Sequence, residues 1–464
     1  MKLNFGLVNG LPEEEQDKLN GLKRIFNYHY YDNEKKERYY AGKVRLNEVN
    51  LGIALPSSIG KLEIGCAWGA KTVDVLAGRS MFDGFVAENG APAETMERII
   101  QRNRLIAEYS KACRDELKFG CTFAALSGTP GDARIRFYSP KCAAAAWDDR
   151  NGRIDCGFAF LDLRKDESDR DWSPEYVNFY TATDTWALIR KGWRWDAVRH
   201  PHHFGRPLME PLVWDATSDK PFGQSRLKEP IRRLIQGYVR TVANATIGLE
   251  FATSPQKYLL GVTDEQYDAV VNQKFAQYIG SILTATQNPE TGENPAFGQL
   301  SQGTIEPHVQ MIRLLATQFS AATGLPVTDT GVVNDANPTS SDAILAQTQT
   351  LVLLAEQLNK ANADSLYHIA QMAQAIELDV TPEELPEEAV SIMAHFKNPA
   401  MPSVAATADA ATKIASVRQS FASTDVYLEM IGFDQADIRR IKAQEQRARG
   451  QQVLTEEFYE DLNE

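Results

Sequence analysis

Hydrophobic spacing sorts the chain into helical and strand-like stretches, and the strongest pattern lies between Ile305 and Ile376. Val309, Ile312, Leu315, Ala316 and Phe319 recur at three-to-four spacing and predict a helix over 306–319. Pro307 suits its first turn, where the missing N–H costs nothing. Gly324 and Pro326 stop it. A polar loop follows to Pro338. Thr339, Ser340 or Ser341 can then cap a second helix by accepting from its free N–H groups. Ile344, Leu345, Leu351, Val352, Leu358, Leu366, Ile369, Met372 and Ile376 carry that helix to about Leu378. At 1.5 Å per residue it spans roughly 55–60 Å. Such a length suggests a rod packed against neighbours.

The rest of the chain reads more conventionally. A charged amphipathic helix is predicted over 12–40 and another over 96–119. Short alternating runs at 121–126, 133–138, 154–163, 176–181 and 186–190 predict an antiparallel sheet, with Gly, Pro and Asp between them. This first part is therefore an α+β domain. Leu227, Ile231, Leu234, Tyr238, Val242, Ala245 and Leu249 then mark a helix closing near Pro255. A strand at 258–262 and a capping box at 263–266 follow. The run 281–286 is expected to pair with 296–300 across the turn-rich loop 288–295. A small α/β insert thus sits between two stalk helices. Beyond Leu378 the chain turns acidic and Pro-punctuated, then helical over 407–421, 426–431 and 434–449.

Charge sharpens the picture at one place. From Leu314 to Asn359 there is no Lys or Arg, and Asp329, Asp335, Asp342 and Glu356 are the formal charges present. The loop 327–338 is small, polar and mildly acidic, with Val332 and Val333 at its tip. It is read either as a solvated connection or as a surface that a polyanion passes without sticking. The 464-residue chain carries a net charge of −13, so it cannot grip nucleic acid over its whole surface. No apolar run approaches the ~18–20 residues of a membrane span. The first residues lack the apolar core of a signal peptide. Five cysteines without a CxxC pair argue against a disulfide framework or zinc site and for a reducing compartment.

Three stretches invite chemistry. Gly65 to Thr72 resembles a phosphate loop, but Ala70 stands where the pattern needs Gly before the Lys. Trp68, Val73, Val75 and Leu76 read better as the buried face of a helix. His200, His202 and His203 are a candidate metal cluster or enzyme site, but no adjacent Cys or carboxylate completes a set. Tyr28, Tyr30, Tyr31, Tyr39 and Tyr40 interleave with Arg24, Lys35, Lys36 and Arg38, a pattern seen in nucleic-acid binding. Glu34 and Glu37 dilute it, and a packed helix accounts for it better.

The order of elements resembles the portal proteins of tailed double-stranded-DNA bacteriophages of the Siphoviridae type. Local sequence resembles them too, at Trp68–Arg79, Pro221–Leu227, Phe251–Gly261, Phe319–Pro326 and Asn337–Ile344. The resemblance implies a portal fold: wing 1–222, first stem helix 223–252, clip 253–304, second stem helix 305–323, tunnel loop 324–338, long helix 339–378 and helical crown 379–464. It implies a dodecameric ring at one capsid vertex, through which double-stranded DNA enters and leaves. Implied partners are the large terminase subunit, a head-completion or adaptor protein, and the major capsid protein with scaffolding protein. Assembly would take place in the host cytoplasm, and no membrane, cofactor, metal or catalytic residue is implied. In a ring, Asp329 and Asp335 would repel DNA within the ~8 Å screening length, while Thr330, Val332, Val333 and Asn334 touched it weakly. Arg232, Arg233 and Arg240 would face the lumen or pair with acids on the neighbouring subunit. The alternatives are another capsid or connector protein, or a hydrolytic enzyme using the first domain.

Overall fold

The computed structural model describes residues 3–44, 64–87, 94–162, 174–253, 257–261, 296–299, 304–332, 341–400, 404–433 and 437–449, with residues 287, 292 and 294. In chain order the elements begin with β1 (Val8–Asn9), α1 (Glu13–Tyr40), α2 (Trp68–Ala77), β2 (Phe82–Ala87), α3 (Glu94–Asn103) and α4 (Leu105–Phe119). Strands β3 (Cys121–Ser127), β4 (Arg134–Tyr138), β5 (Ala143–Asp148), β6 (Arg153–Phe160), β7 (Tyr176–Tyr180), β8 (Asp184–Lys191), β9 (Arg194–Pro201) and β10 (Met209–Val213) come next. Helix α5 (Glu229–Thr253) leads to β11 (Lys257–Leu260) and β12 (Ala296–Gln299), then α6 (Glu306–Thr323) and α7 (Ser341–Leu378). Last come α8 (Glu387–Val390), β13 (Ile392–Phe396), α9 (Val404–Val417), α10 (Asp425–Ile431) and α11 (437–449).

These elements form two compact units that alternate along the chain. The first comprises Met1–Ala77, Lys111–Ala125 and Phe137–Leu351, the second Gly78–Ser110, Leu126–Arg136 and Val352–Glu464.

The first unit is built on a six-stranded sheet of order β1-β9-β8-β7-β6-β5. Phe158 lies opposite Phe179, and Phe179 opposite Trp186, so successive strands place large rings in neighbouring registers. Leu19, Leu22 and Phe26, one stripe of α1, bury against this aromatic surface. Each such side chain contributes ~1.5–3 kcal/mol when fully buried. The predicted antiparallel sheet needs one correction, because β1 pairs parallel to β9. Its position is fixed from α1: Asn27 accepts from the Leu3 N–H at 2.7 Å, and Gln16 accepts from the Val8 N–H at 2.9 Å.

The second unit centres on the larger part of α7. Leu358, Leu366, Ile369, Ala373 and Ile376 are buried along it. Near its end, Glu377 takes a bidentate bond from Arg102 (2.7 and 3.2 Å) and another from the Ala133 N–H (2.9 Å). The single helix expected over 96–119 is two helices, broken at Arg104, whose φ is 50°. Asn103 explains the break. Its amide bonds the Ile99 and Ala133 carbonyls and accepts from the Ile135 N–H, which ties the helix end to β4. The stretch after Leu378, expected to be helical, contains β13, which pairs antiparallel with β2.

Candidate functional site

The stem and the start of the acidic loop form one packed assembly within the first unit. Helices α5 and α6 lie against each other, with Ile235, Val239 and Ala243 buried on one and Leu315, Ala316 and Phe319 on the other. A Cβ on Gly237 would meet a Leu315 methyl at 3.3 Å, so glycine permits this close approach. Beyond α5, β11 and β12 pair antiparallel from Lys257–Gln299 to Leu260–Ala296. The expected partner of 296–300 was 281–286, which lies outside the described residues. The observed pairing follows from the packing of α5 on α6, which brings the strand after one helix beside the strand before the other.

Trp68, the first residue of α2, sits at the junction of stem and loop. Its ring stacks on Phe319 (centroids 4.7 Å apart) and lies 4.4 Å from that of Tyr238. Its indole N–H donates to the Thr330 carbonyl at 3.1 Å. Helix α6 ends at Gly324 in a left-handed conformation, φ 71°. A 3₁₀ turn over Val327–Thr330 follows, closed by Gly331 at φ 78°. The first part of the loop is therefore a structured turn tethered to α2. The phosphate-loop resemblance at 65–72 has a packing cause. A Cβ on Gly69 would lie 2.1 Å from the Tyr39 carbonyl oxygen, so Gly69 is where α1 and α2 touch.

Arg226 is the residue that sequence reading missed. It is 6% exposed. Its guanidinium donates to the carbonyls of Thr72 (2.8 Å) and Thr323 (2.7 Å) and lies over the Trp214 ring. Thr323 ends α6, so this cation meets the negative end of that helix dipole. Burial lowers its pKa to about 10, and it stays charged at neutral pH. Only its place in the stretch Pro221–Leu227 set it apart in the sequence.

The expected site residues fall into three groups. Asp329, Thr330 and Val332 lie at the structured start of the loop, all half-buried. Val333, Asn334 and Asp335 lie outside the described residues. Val332 shares a small hollow of about 260 Å³ with Val327, Leu314, Thr317, Gln310 and Arg313. The run without bases is thus a property of sequence, while in space the exposed Arg313 stands beside the loop's first part.

Among the stem arginines, Arg232 is bound within its own chain, 3.1 Å from Asp32 of α1 and 2.9 Å from Glu229. Arg233 is 74% exposed and reaches Glu229 at 3.1 Å. Arg240 is half-buried, and one guanidinium nitrogen has no hydrogen-bond partner among the described residues. Hydrogen bonds from Arg232 and Arg233 hold the Glu229 carboxyl below its usual pKa. Burial opposes ionisation of Asp32, but Lys36 and Arg232 outweigh it and lower its pKa as well.

The other candidates are structural in their surroundings. His200 lies on β9 opposite Thr185, and the His202 ring stacks on Phe204. No group of His, Cys, Asp and Glu suited to a metal occurs among the described residues. On α1, Tyr28 and Tyr31 are exposed while Tyr39 is buried. No helix among the described residues is long and apolar enough to cross a membrane.

Two packed helices, a strand pair between them, a tethered turn and a long helix follow one another here. The family model described as phage portal protein, SPP1 Gp6-like, matches residues 20–451, and the chain belongs to that family. The portal protein of Mycobacterium phage D29 is 24% identical over 393 residues, covering 81% of this chain and 77% of that one. The portal protein of Mycobacterium phage L5 is 24% identical over 404 residues, covering 84% and 78%. Among solved structures, a chain of the neck of a native gene transfer agent particle, computed with C12 symmetry, aligns with a TM-score of 0.46 and 12% identity. It covers 79% of this chain and 89% of that one. A chain of the native gene transfer agent virion aligns with a TM-score of 0.45 and 13% identity, over 79% and 89%. The protein is accordingly a phage portal protein and a component of the virion.

Proposed function

We propose that copies of this chain form a dodecameric ring at one capsid vertex, and that its lumen carries double-stranded DNA in both directions. The observation that carries the reading is the run from Leu314 to Asn359, which joins a packed stem to the long helix without a single Lys or Arg. A ring multiplies each residue by the number of subunits. One exposed base per subunit at a constriction would make a positively charged collar, and each phosphate neutralised adds salt-dependent affinity. An uncharged-to-acidic loop avoids that grip.

Residues 1–222 would then serve as the wing towards the capsid shell, and 253–304 as the clip that meets the packaging motor and later the head-completion protein. Arg226 and Trp68 support the reading because they fix the stem and the loop start to the body, so loop position follows ring geometry. ATP hydrolysis is assigned to the motor, in keeping with the substituted phosphate-loop pattern and the helix at Trp68–Ala77. Electron microscopy of the purified protein is expected to show closed rings with an axial hole. A compact monomer at all concentrations would contradict the proposal.

A further inference from the structure

The hairpin of β8 and β9 ends in a two-residue turn, Gly192–Trp193, closed by the Lys191–Arg194 pair. Gly192 has φ 64°, as such a turn requires at its first central position. Trp193 is 102% exposed, the most exposed large apolar side chain among the described residues. A small polar residue would serve the turn as well. An indole held in water at a hairpin tip is instead suited to anchoring an interface, where Trp is strongly enriched. At the other edge of the same sheet, between β5, α1 and the start of α5, lies a cavity of about 580 Å³. We propose that Trp193 of one copy enters this cavity of the next copy, making a head-to-tail contact between subunits. The inference rests on the ring reading and names a contact within the ring.

The first support is placement. Strands β8 and β9 lie three and four positions from β5 in the sheet order, or ~14–19 Å at the usual strand spacing. A ring needs two different patches on each subunit, whereas a twofold dimer uses one patch twice. Tip and cavity, at opposite edges of one sheet, meet the ring's condition.

The second is size and lining. The volume lies within the ~300–1,000 Å³ range of ligand pockets. Ala143, Ala144 and Ala145 leave the space open, and Phe26, Phe119 and Phe123 give it aromatic walls. A buried indole N–H needs an acceptor, and the side-chain amides of Asn33 and Gln224 line the same space.

The third is the balance of charge at the mouth. Asp32 holds Lys36 at 2.9 Å and Arg232 at 3.1 Å, and Glu229 also holds Arg232, at 2.9 Å. Asp215 holds Lys228 at 2.6 Å, and Lys220 stands beside Asp219. With each base matched, a charged ligand gains nothing here, while an uncharged aromatic ring gains the apolar interior.

The test is cross-linking of the assembled full-length protein. Arg194→Cys and Lys220→Cys, both at exposed positions, put one thiol beside the tip and one at the cavity mouth. A short bis-maleimide is expected to turn the double variant into a ladder of covalent multimers on a denaturing gel. Each single variant should give no ladder. The native cysteines are buried, apart from the half-buried Cys142, and the unsubstituted protein is the control for them. Trp193→Ala should need at least about tenfold more protein to form rings. Its melting temperature as a monomer should not change, because the side chain is fully exposed. Intact rings without a ladder, ladders from either single variant, or covalent dimers alone would overturn the proposal and leave the ring reading standing. Rings of Trp193→Ala that form at unchanged concentration would do the same. Unsubstituted protein that forms no rings would overturn both.

Discussion

At the scale of single residues, the stem is held by groups that have no substitute. Arg226 places one charged fork on two carbonyls from two helices, and lysine cannot reproduce that planar geometry. Arg226→Lys is expected to lower stability by ~1.5–3 kcal/mol, the range for hydrogen bonds to a charged group, read from the urea midpoint. An unchanged midpoint would mean that water replaces the fork. Gly69→Ala should cost ~1–3 kcal/mol by overpacking, because the new methyl collides with the Tyr39 carbonyl. In the loop, Asn334→Lys places one base per subunit in the acidic stretch. It should slow DNA packaging or ejection and leave ring assembly intact. Normal DNA movement at low salt would remove the low-adhesion argument.

At the scale of elements, α5 begins in a cluster of ion pairs in which Asp32 and Glu229 hold Arg232, and Glu229 also meets Arg233. Both carboxyls have lowered folded pKa values. The stability they contribute is therefore present above the usual carboxylate range, ~4, and is lost as pH falls through their lowered folded values. Melting temperature should fall steeply below about pH 4, and less steeply in Asp32→Asn, because that protein no longer has this carboxylate to protonate. Identical acid limbs would show that the cluster adds nothing at the helix start.

Elements with strong periodicity were legible in the sequence for the same physical reason that they are stable. Leu19, Leu22 and Phe26 announce α1, and the 341–378 stripe announces α7. The strands that escaped notice lack such a signature. In β5 three of four successive alanines are buried by pairing with β6 rather than by propensity, and β9 carries Arg194, Asp196 and Arg199 at a largely exposed surface. The break at Arg104 depends on Asn103 reaching β4, a tertiary bond that no local pattern records. Arg226 was hidden likewise, since a base near a helix start looks alike in sequence whether it faces water or two buried carbonyls.

At the scale of the whole molecule, one chain cannot make a channel, and the account turns on what lines the axis of the assembled ring. Trp68 and Arg226 give the loop a fixed start on each subunit, so symmetry alone would carry it to a common radius. Arg313 beside that start makes the placement informative, because a ring of exposed arginines at the narrowest point would contradict the low adhesion proposed for the loop. The most direct measurement is a symmetry-averaged cryo-electron microscopy map of the assembled protein. The account predicts that residues 324–338 surround the central hole, with the Arg313 side chains set back from its narrowest radius. Density placing that segment on the outer surface, away from any central opening, would contradict it.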